Sequence, residues 1–482
     1  MTNEEAQRIM DANDLEPFIM ILHKRGRSGL AEEVLDTFAR LADSFVKWDN
    51  LSKCYFKTKM YDKAITQGEA ALVNAPTPQS AYIMRQNLIN IYNHNNNPEK
   101  ALLYIDINQS IVNNVDLELE RSYALFLSNR KKEAQRILEE QLASRKDMTE
   151  EQKTKIEFNL GTYRLYEDKF QEGMRRFLLE GSKLKLWATH SIFARDKELD
   201  MPLWEGAPGV KNLVVYAEAG IGDEIINIRF MNHLKERGVH AVWYEPVEEL
   251  KRLNDPRPGL VELFQKNGVE VITSLDQASH LKGAMWTYSM RLPIYLNLAY
   301  EDLWHGPYLK PCEEHRAKWG KVGALEGKRR IGLRWRGSPL YDQDLHRSYP
   351  LKQLRDAMSE RGCLDGNSFV SLQRDDGTQE TGDFEGLLDL SSELSSIEDT
   401  FAVISQLDLV ITSCTSIAHM AASQGKEVWI LVPISAYYTW CHSSEQTPWY
   451  GPNVRLFRQE RPRAWDEPIA KLADALKEWL PR

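Results

Sequence analysis

At roughly 150 residues per domain, a chain of 482 residues holds about three domain-sized units, and a single small module is excluded. Its 61 Lys and Arg against 70 Asp and Glu leave a net charge of -9, which argues against a protein whose main work is gripping nucleic-acid phosphates, although a local basic groove fits inside an acidic whole. With 42% hydrophobic, 10% aromatic and 27% charged residues, the composition is that of a globular protein able to bury several cores rather than a disordered one.

The opening MTNEEAQRIM is acidic and polar where a secretory leader needs a basic start and an apolar stretch. Nowhere do about 18 uncharged apolar residues run together, as a membrane span requires. The expectation is a cytoplasmic chain with no membrane insertion. The five cysteines, Cys54, Cys312, Cys363, Cys414 and Cys441, are odd in number, widely spaced and without a C-x-x-C pair, which predicts reduced thiols.

Residues 1–186 carry an internal repeat. Trp48, Leu51 and Tyr55 are followed by Ala64, Ala71 and Pro76, and Leu88, Tyr92 and Ala101 repeat the spacing of the central part, setting a period of 37 from Tyr55 to Tyr92. Leu125 with Ala134, and Leu160 and Gly161 with Gly173 and Phe177, continue it in degenerate form. Small residues at the Ala64 position let two helices approach while large ones interlock between neighbouring pairs. The pattern resembles tetratricopeptide (TPR) repeats.

From Pro202 to Gly209 prolines and glycines crowd together, so 187–211 reads as a linker. Beyond it, apolar runs alternate with helical patterns. NLVVYA (212–217), VHAVWY (239–244) and GVEVIT (268–273) read as strands, and Asp223–Arg237 as one helix. A second set comprises RRIGLRW (329–335), SFVSLQ (368–373), DLVIT (408–412) and EVWILV (427–432). Strands alternating with helices predict parallel sheets covered on both faces. The result is an α + α/β chain: helical repeats, then a Rossmann-like half over 212–320 and another over 321–482.

In such folds ligands bind where strand carboxyl ends meet the following helices. The first such loop is AEAGIGDEI (217–225), where Gly220 and Gly222 permit a tight turn and Asp223 stands at the helix start, either facing a cleft or serving as an ordinary N-cap. The second, GLRWRGSPLYDQDLHRSYPL (332–351), carries Arg334, Arg336, His346 and Arg347 beside Ser338 and Ser348. It reads either as a diphosphate cradle of paired guanidinium donors or as a solvated loop whose cations pair with Asp342 and Asp344. In the third, ITSCTSIAHMAA (411–422), Ser413, Cys414, Thr415 and Ser416 lead into a helix whose first amides can hold an anion or are simply capped. His419, one turn inside, is expected to pack. Cys414 has no His neighbour in sequence, so thiol nucleophile chemistry is not expected.

The order PLWEG, YAEAGIGDEI, IGLRWRGSPLYDQDLHRSYPL, FVSLQ, IEDTFAVISQLDLVIT, CTSIAHMAASQGKEVWILVP and TPWYGPNVRLFRQ resembles the bacterial TPR-containing glycosyltransferases. These are similar to heptosyltransferases in the catalytic half and, more distantly, to O-linked N-acetylglucosamine transferases. The resemblance implies a GT-B fold and an inverting, metal-independent transfer of sugar from a nucleotide-diphosphate sugar, with a UDP-sugar expected, to an acceptor hydroxyl. By this resemblance Asp223 takes the place of the general base and Arg347 that of the group neutralising the leaving diphosphate. Gly222, Arg334, Arg336, Cys414, Thr415 and Ser416 fall in the donor site, and Gln373 and Asp399 are candidates for base and ribose. One departure is Ser413-Cys414-Thr415 where the family reads Val-Asp-Thr, which leaves room for an inactive nucleotide-binding scaffold. A TPR groove speaks for a protein acceptor. A glycan or a modified DNA base is the alternative, and the acidic charge does not favour DNA.

Overall fold

The computed structural model describes residues 15–24, 27–112, 114–180, 201–252, 255–325, 329–338, 341, 344–374, 377–442 and 444–479. Contacts divide the chain into two compact units, residues 1–152 and 153–482.

The first unit is helical: α1 (Leu15–Lys24), α2 (Ser28–Leu41), α3 (Phe45–Lys57), α4 (Tyr61–Val73), α5 (Pro78–His94), α6 (Pro98–Gln109), α7 (Val115–Leu127) and α8 (Lys131–Ser144). Each helix packs on the next. Starts are set by side-chain caps, with Thr77 and Asn97 accepting from Ser80 and Lys100 amides ahead of Pro78 and Pro98. The turns recur. Amides of Met60, Asn97 and Arg130 donate to the carbonyls of Tyr55, Tyr92 and Leu125, and the residues between, Lys59, Asn96 and Asn129, take φ of 63°, 53° and 60°, the left-handed closure of a Schellman turn. Ala64, Ala101 and Ala134 are fully buried after these turns. Ser52 and Ser122 hydroxyls reach across to the carbonyls of Ala64 and Ala134 at 2.8 and 2.9 Å. The alanines singled out by sequence spacing are thus buried, and two of the three have their carbonyls met by a hydroxyl of the preceding helix.

The second unit opens with α9 (Glu150–Tyr166) and α10 (Phe170–Met174). The same turn appears once more, with the Lys169 amide donating to the Arg164 carbonyl and Asp168 at φ 61°. A Cβ on Gly161 would lie 2.4 Å from the Phe177 amide nitrogen, so only glycine allows this approach. The repeat pattern groups this hairpin with the preceding ones, but its contacts lie in the second unit: the Tyr166 hydroxyl donates to the Ile434 carbonyl at 2.8 Å, and Gln171 donates to the Pro293 and Leu298 carbonyls. Within the expected linker, 187–200 lie outside the described residues. The remainder is fastened down, with Leu203 bridged to Trp286 and Trp204 buried.

Two parallel sheets follow, as two Rossmann-like halves. The first, in order β3-β2-β1-β4, comprises β1 (Asn212–Tyr216), β2 (His240–Tyr244), β3 (Val271–Ile272) and β4 (Met285–Tyr288). Its helices are α11 (Ile221–Asn227), α12 (Phe230–Glu236), α13 (Val247–Arg252), α14 (Leu260–Lys266) and α15 (Leu292–Tyr295), and α16 (Glu313–Lys318) and α17 (Gly320–Gly323) lead onward. The second sheet, in order β10-β9-β8-β5-β6-β7, comprises β5 (Arg329–Arg334), β6 (Asn367–Ser371), β7 (Leu387–Asp389), β8 (Leu409–Ser413), β9 (Glu427–Val432) and β10 (Val454–Arg458). Its helices are α18 (Asp344–Arg347), α19 (Leu351–Glu360), α20 (Ile397–Ser405), α21 (Ser416–Ser423) and α22 (Asp466–Glu478). Strands buried end to end, such as β8, explain the unbroken apolar runs.

Three strands, β4, β7 and β10, lie outside the sequence reading, and GVEVIT pairs only at Val271 and Ile272. The single helix expected over 223–237 is two, α11 and α12, interrupted around Arg229, whose guanidinium folds back to the Ile226 carbonyl at 2.8 Å. Among the described residues no helix is long and apolar enough to cross a membrane, and all five cysteines are free.

Candidate active site

The site is built where β1 and β8 end, because the helices that follow them, α11 and α21, pack against each other. The turn after β1 differs from its expected form. Gly220 has an ordinary φ of -88°, and the left-handed residue is Ala219, at φ 71°, a conformation that costs an L-residue about 1–2 kcal/mol. Arg257 holds it, donating from Nη2 to the Ala219 carbonyl at 2.9 Å. That guanidinium is buried among three carboxylates, ion-paired with Glu224 and with Asp255 at 2.8 Å, and 3.8 Å from Glu245. Gly222 is required for closeness rather than for a turn: a Cβ there would lie 3.1 Å from the His419 ring and 3.5 Å from Ser416 Cα.

Asp223 is consequently carried against residues of the other sheet. Its Oδ1 accepts from the hydroxyls of Tyr437 at 2.8 Å and Tyr438 at 3.4 Å, and its Oδ2 from the Gly220 amide at 3.2 Å. Burial pushes its pKa up to about 6 against the pull of these donors. The N-cap of α11 is Gly220 and not Asp223, which stands two residues inside the helix, closes its first turn by accepting from the Gly220 amide, and is a buried carboxyl of raised pKa. Glu218, one turn earlier, is pushed up to about 7 by burial, with the Asp223 charge adding to the effect.

On the opposite wall, Arg347 Nη1 donates to the Cys414 carbonyl at 3.0 Å, its Nε bonds Asp344 at 2.9 Å, and its guanidinium lies 4.3 Å from the Tyr341 ring centre. A Cβ on Gly337 would sit 2.3 Å from Arg347 Nη2, so the glycine makes this guanidinium position available. Thr415 caps α21 by position and shares a 3.3 Å contact with the Thr412 hydroxyl. Cys414 is buried, and burial pushes its thiol up to about 11. It is a neutral thiol where the resembling family has a carboxylate. Gly222 and Asp223 are thus carried on a helix packed against α21, and the turn Cys414, Thr415 and Ser416 that starts α21 also receives Arg347.

The remaining site residues are differently employed. Arg336 pairs its guanidinium with Glu380, while its amide and carbonyl bond the Gln373 side chain at 3.2 and 3.3 Å. Arg334 Nη1 donates to the Leu372 carbonyl at 3.2 Å. These three tie the ends of β5 and β6 together. Asp399 stands apart: although burial opposes it, Lys318 at 2.7 Å, Trp319 at 2.9 Å and Ser395 at 2.8 Å hold its carboxyl well below the usual range. The cationic loop accordingly narrows to Arg347, paired with Asp344 as the second reading expects; Asp342 lies outside the described residues.

His419 packs, as expected. Its ring stacks on Trp440 at 4.8 Å, its Nδ1 meets the Tyr450 hydroxyl at 2.9 Å, and burial with the Arg229 charge pushes it down to about 3. Arg229 itself lies 4.5 and 4.6 Å from the Tyr308 and Tyr450 rings. A shallow depression lined by Glu427, Trp429, Glu445, Arg455 and Trp479 includes the amino end of β9, the wrong end for such a site.

No protein-family model matches the chain, and no curated protein matches it. The solved structures to which it is similar include a glycosyl transferase of family 9 from Veillonella parvula, at 15% identity over 53% of this chain and 88% of that one, with a TM-score of 0.36. E. coli heptosyltransferase WaaC with ADP is similar at 11% identity over 55% of this chain and 98% of that one, with a TM-score of 0.36. A mutant O-GlcNAc transferase from Thermobaculum terrenum is 13% identical over 90% of each chain, with a TM-score of 0.32. These three solved structures are glycosyltransferases of the kinds that the motif order resembles.

Proposed function

We propose that the protein is a GT-B sugar transferase that moves a sugar from a nucleotide-diphosphate donor, a UDP-sugar first among them, to an acceptor hydroxyl with inversion. The reading is supported by a carboxyl of raised pKa, Asp223, on a helix packed against α21, and by the Arg347 guanidinium bound to the Cys414 carbonyl just ahead of α21. A base whose pKa lies near the working pH is both ionised and able to take a proton. Asp223 accepts the proton of the acceptor hydroxyl as its oxygen attacks the anomeric carbon. The bond to the diphosphate breaks on the opposite side, and Arg347 with the first amides of α21 stabilises the departing charge. Those groups supply the charge stabilisation that a divalent metal gives in other sugar transferases, so the transfer is proposed as metal-independent. Tyr437 and Tyr438 hold the carboxylate in place, and Arg257 holds the turn that carries it.

The helical hairpins of the first unit, read as TPR repeats, select the acceptor, for which a protein is the first candidate. The test is a thermal-shift screen of UDP-, ADP- and GDP-sugars, followed by transfer from the stabilising donor. A donor at 100 times its dissociation constant adds about 2.7 kcal/mol. Stabilisation by nucleotide diphosphates with neither donor hydrolysis nor transfer would instead favour the scaffold reading, for which the neutral Cys414 is the motivating observation.

A further inference from the structure

A second group of reactive side chains lies away from Asp223 and has no part in the chemistry proposed for it. Cys312 precedes α16 and His315 stands on its first turn, so the chain itself brings Cys312 Sγ to 3.1 Å from His315 Nδ1. From the second sheet's side, α20 supplies Glu398 next to them, and donor atoms of the three residues all lie within 4.8 Å of one another. Glu398 is 1% exposed. Its Oε1 makes no hydrogen bond, and its Oε2 accepts only weakly from the Cys312 amide at 3.4 Å. A buried carboxylate oxygen without a hydrogen-bond donor is costly, and the charge of Lys266 at 3.7 Å offsets this one only in part, in a carboxylate that lies beside a thiol and an imidazole.

We propose that Cys312, His315 and Glu398 form a binding site for one zinc ion, with the fourth position left to water. The donor set of thiolate, imidazole and carboxylate suits zinc better than the hard cations, which take oxygen alone. Donors of a tetrahedral zinc site lie about 3.5 Å apart, so the Cys312 and His315 atoms need part by only a few tenths of an ångström. The other ring nitrogen of His315 lies 4.0 Å from Asp399 Oδ1, too far for the hydrogen bond that orients metal-bound histidines in many sites but near enough for the carboxylate to favour a cation there.

One cation already competes for the place. Lys266 Nζ, on α14, lies 3.7 Å from Glu398 Oε1 and bonds the Cys312 thiol. Burial opposes thiolate formation, yet the bonds from His315 and Lys266 bring Cys312 below its ordinary pKa. Lys266 is about half exposed and able to swing into solvent when a metal enters. The four residues come from α14 of the first half, the connecting segment and α20 of the second, so a bound ion would fasten the connection to the second half where the first half meets it.

The test uses the full chain, stripped with a chelator and titrated with cobalt(II) as the spectroscopic stand-in for zinc. One equivalent is expected, with a thiolate-to-cobalt charge-transfer band and the visible bands of tetrahedral coordination. Cys312→Ser should abolish the charge-transfer band, His315→Asn should weaken binding at least about tenfold, Cys363→Ser should change nothing, and Lys266→Ala should tighten binding by removing the competing ammonium. Circular dichroism of each variant separates lost binding from lost folding. Absence of the charge-transfer band in the wild-type chain at a small excess of cobalt, or its persistence in folded Cys312→Ser, would overturn the proposal.

Discussion

Asp223→Asn separates two consequences of placing a carboxyl between the sheets, one on stability and one on turnover. In the folded chain its pKa rises from 3.8 to about 6, roughly two units, and at 1.36 kcal/mol per unit the ionised form is disfavoured by about 3 kcal/mol. The sign follows from proton binding. Between pH 4 and 6 the folded carboxyl keeps its proton while the unfolded one has released it, so this contribution to stability is full below about pH 4 and is lost as pH rises through 6. The asparagine variant lacks that slope. Its amide still accepts from Tyr437 but points an N–H at the Gly220 amide, and the resulting cost of about 1–3 kcal/mol is the same at every pH. Urea unfolding followed by tryptophan fluorescence at stepped pH should therefore show the wild-type-minus-variant stability falling by about 3 kcal/mol between pH 4 and 7. In the same samples turnover should drop about 100-fold or more, and the acid limb of the wild-type rate profile, near pH 6, should disappear. Parallel stability profiles would refute the buried-carboxyl argument, and full turnover would reduce Asp223 to a helix cap.

Arg347→Ala should weaken binding of the nucleotide diphosphate by about 1.5–3 kcal/mol, the worth of a charged hydrogen bond, and unchanged affinity by calorimetry removes it from the site. Gly337→Ala should act in the same direction with Arg347 still present, because the new methyl would occupy the place of its Nη2. Arg257→Met leaves Glu224 and Glu245 buried without their cation and should cost about 3–5 kcal/mol while loosening Ala219; a melting temperature unchanged from wild type would show that the cluster is not coupled to folding. Deleting residues 1–147, ahead of α9, should spare nucleotide binding and abolish transfer to the natural acceptor. A folded fragment that still modifies that acceptor at the full rate would exclude the repeats as its recruiter.

Much of the fold was legible because its determinants are local. The fully buried strands announce themselves as apolar runs, and the helical hairpins as small residues placed a fixed distance after an aromatic or leucine at the preceding turn. What escaped detection is set by pairing at a distance. β4, β7 and β10 are strands because neighbours in the sheet accept them, and a stretch such as LLD at 387–389 carries no pattern of its own. The break between α11 and α12 was hidden for the same reason: a helical period runs through Arg229, and besides the nearby Ile226 carbonyl its guanidinium is drawn inward by the Leu303 and Trp449 carbonyls and the Tyr308 hydroxyl, all distant in sequence.

The site divides along the same line. Gly222, Asp223 and the 414–416 turn could be found because each follows a strand end, which local sequence reveals, and Arg347 because of its cationic loop and the family resemblance. Their partners could not, since Tyr437 and Tyr438 stand more than 200 positions from Asp223, and Glu218 looks like any loop glutamate until burial is known. Arg336 is read from its loop and Asp399 from the resemblance, and the structure gives both charges protein partners. Arg336 and Asp399 have the right charges, but Glu380, Lys318 and Trp319, none of them predictable as neighbours, hold those charges inside the protein. A charged side chain near a strand end is therefore a weak sign of a ligand until its protein partners are known. Asp223 remains the better one, because among the described residues its carboxyl accepts hydrogen bonds from neutral donors, and burial raises its pKa despite them and the Arg257 charge.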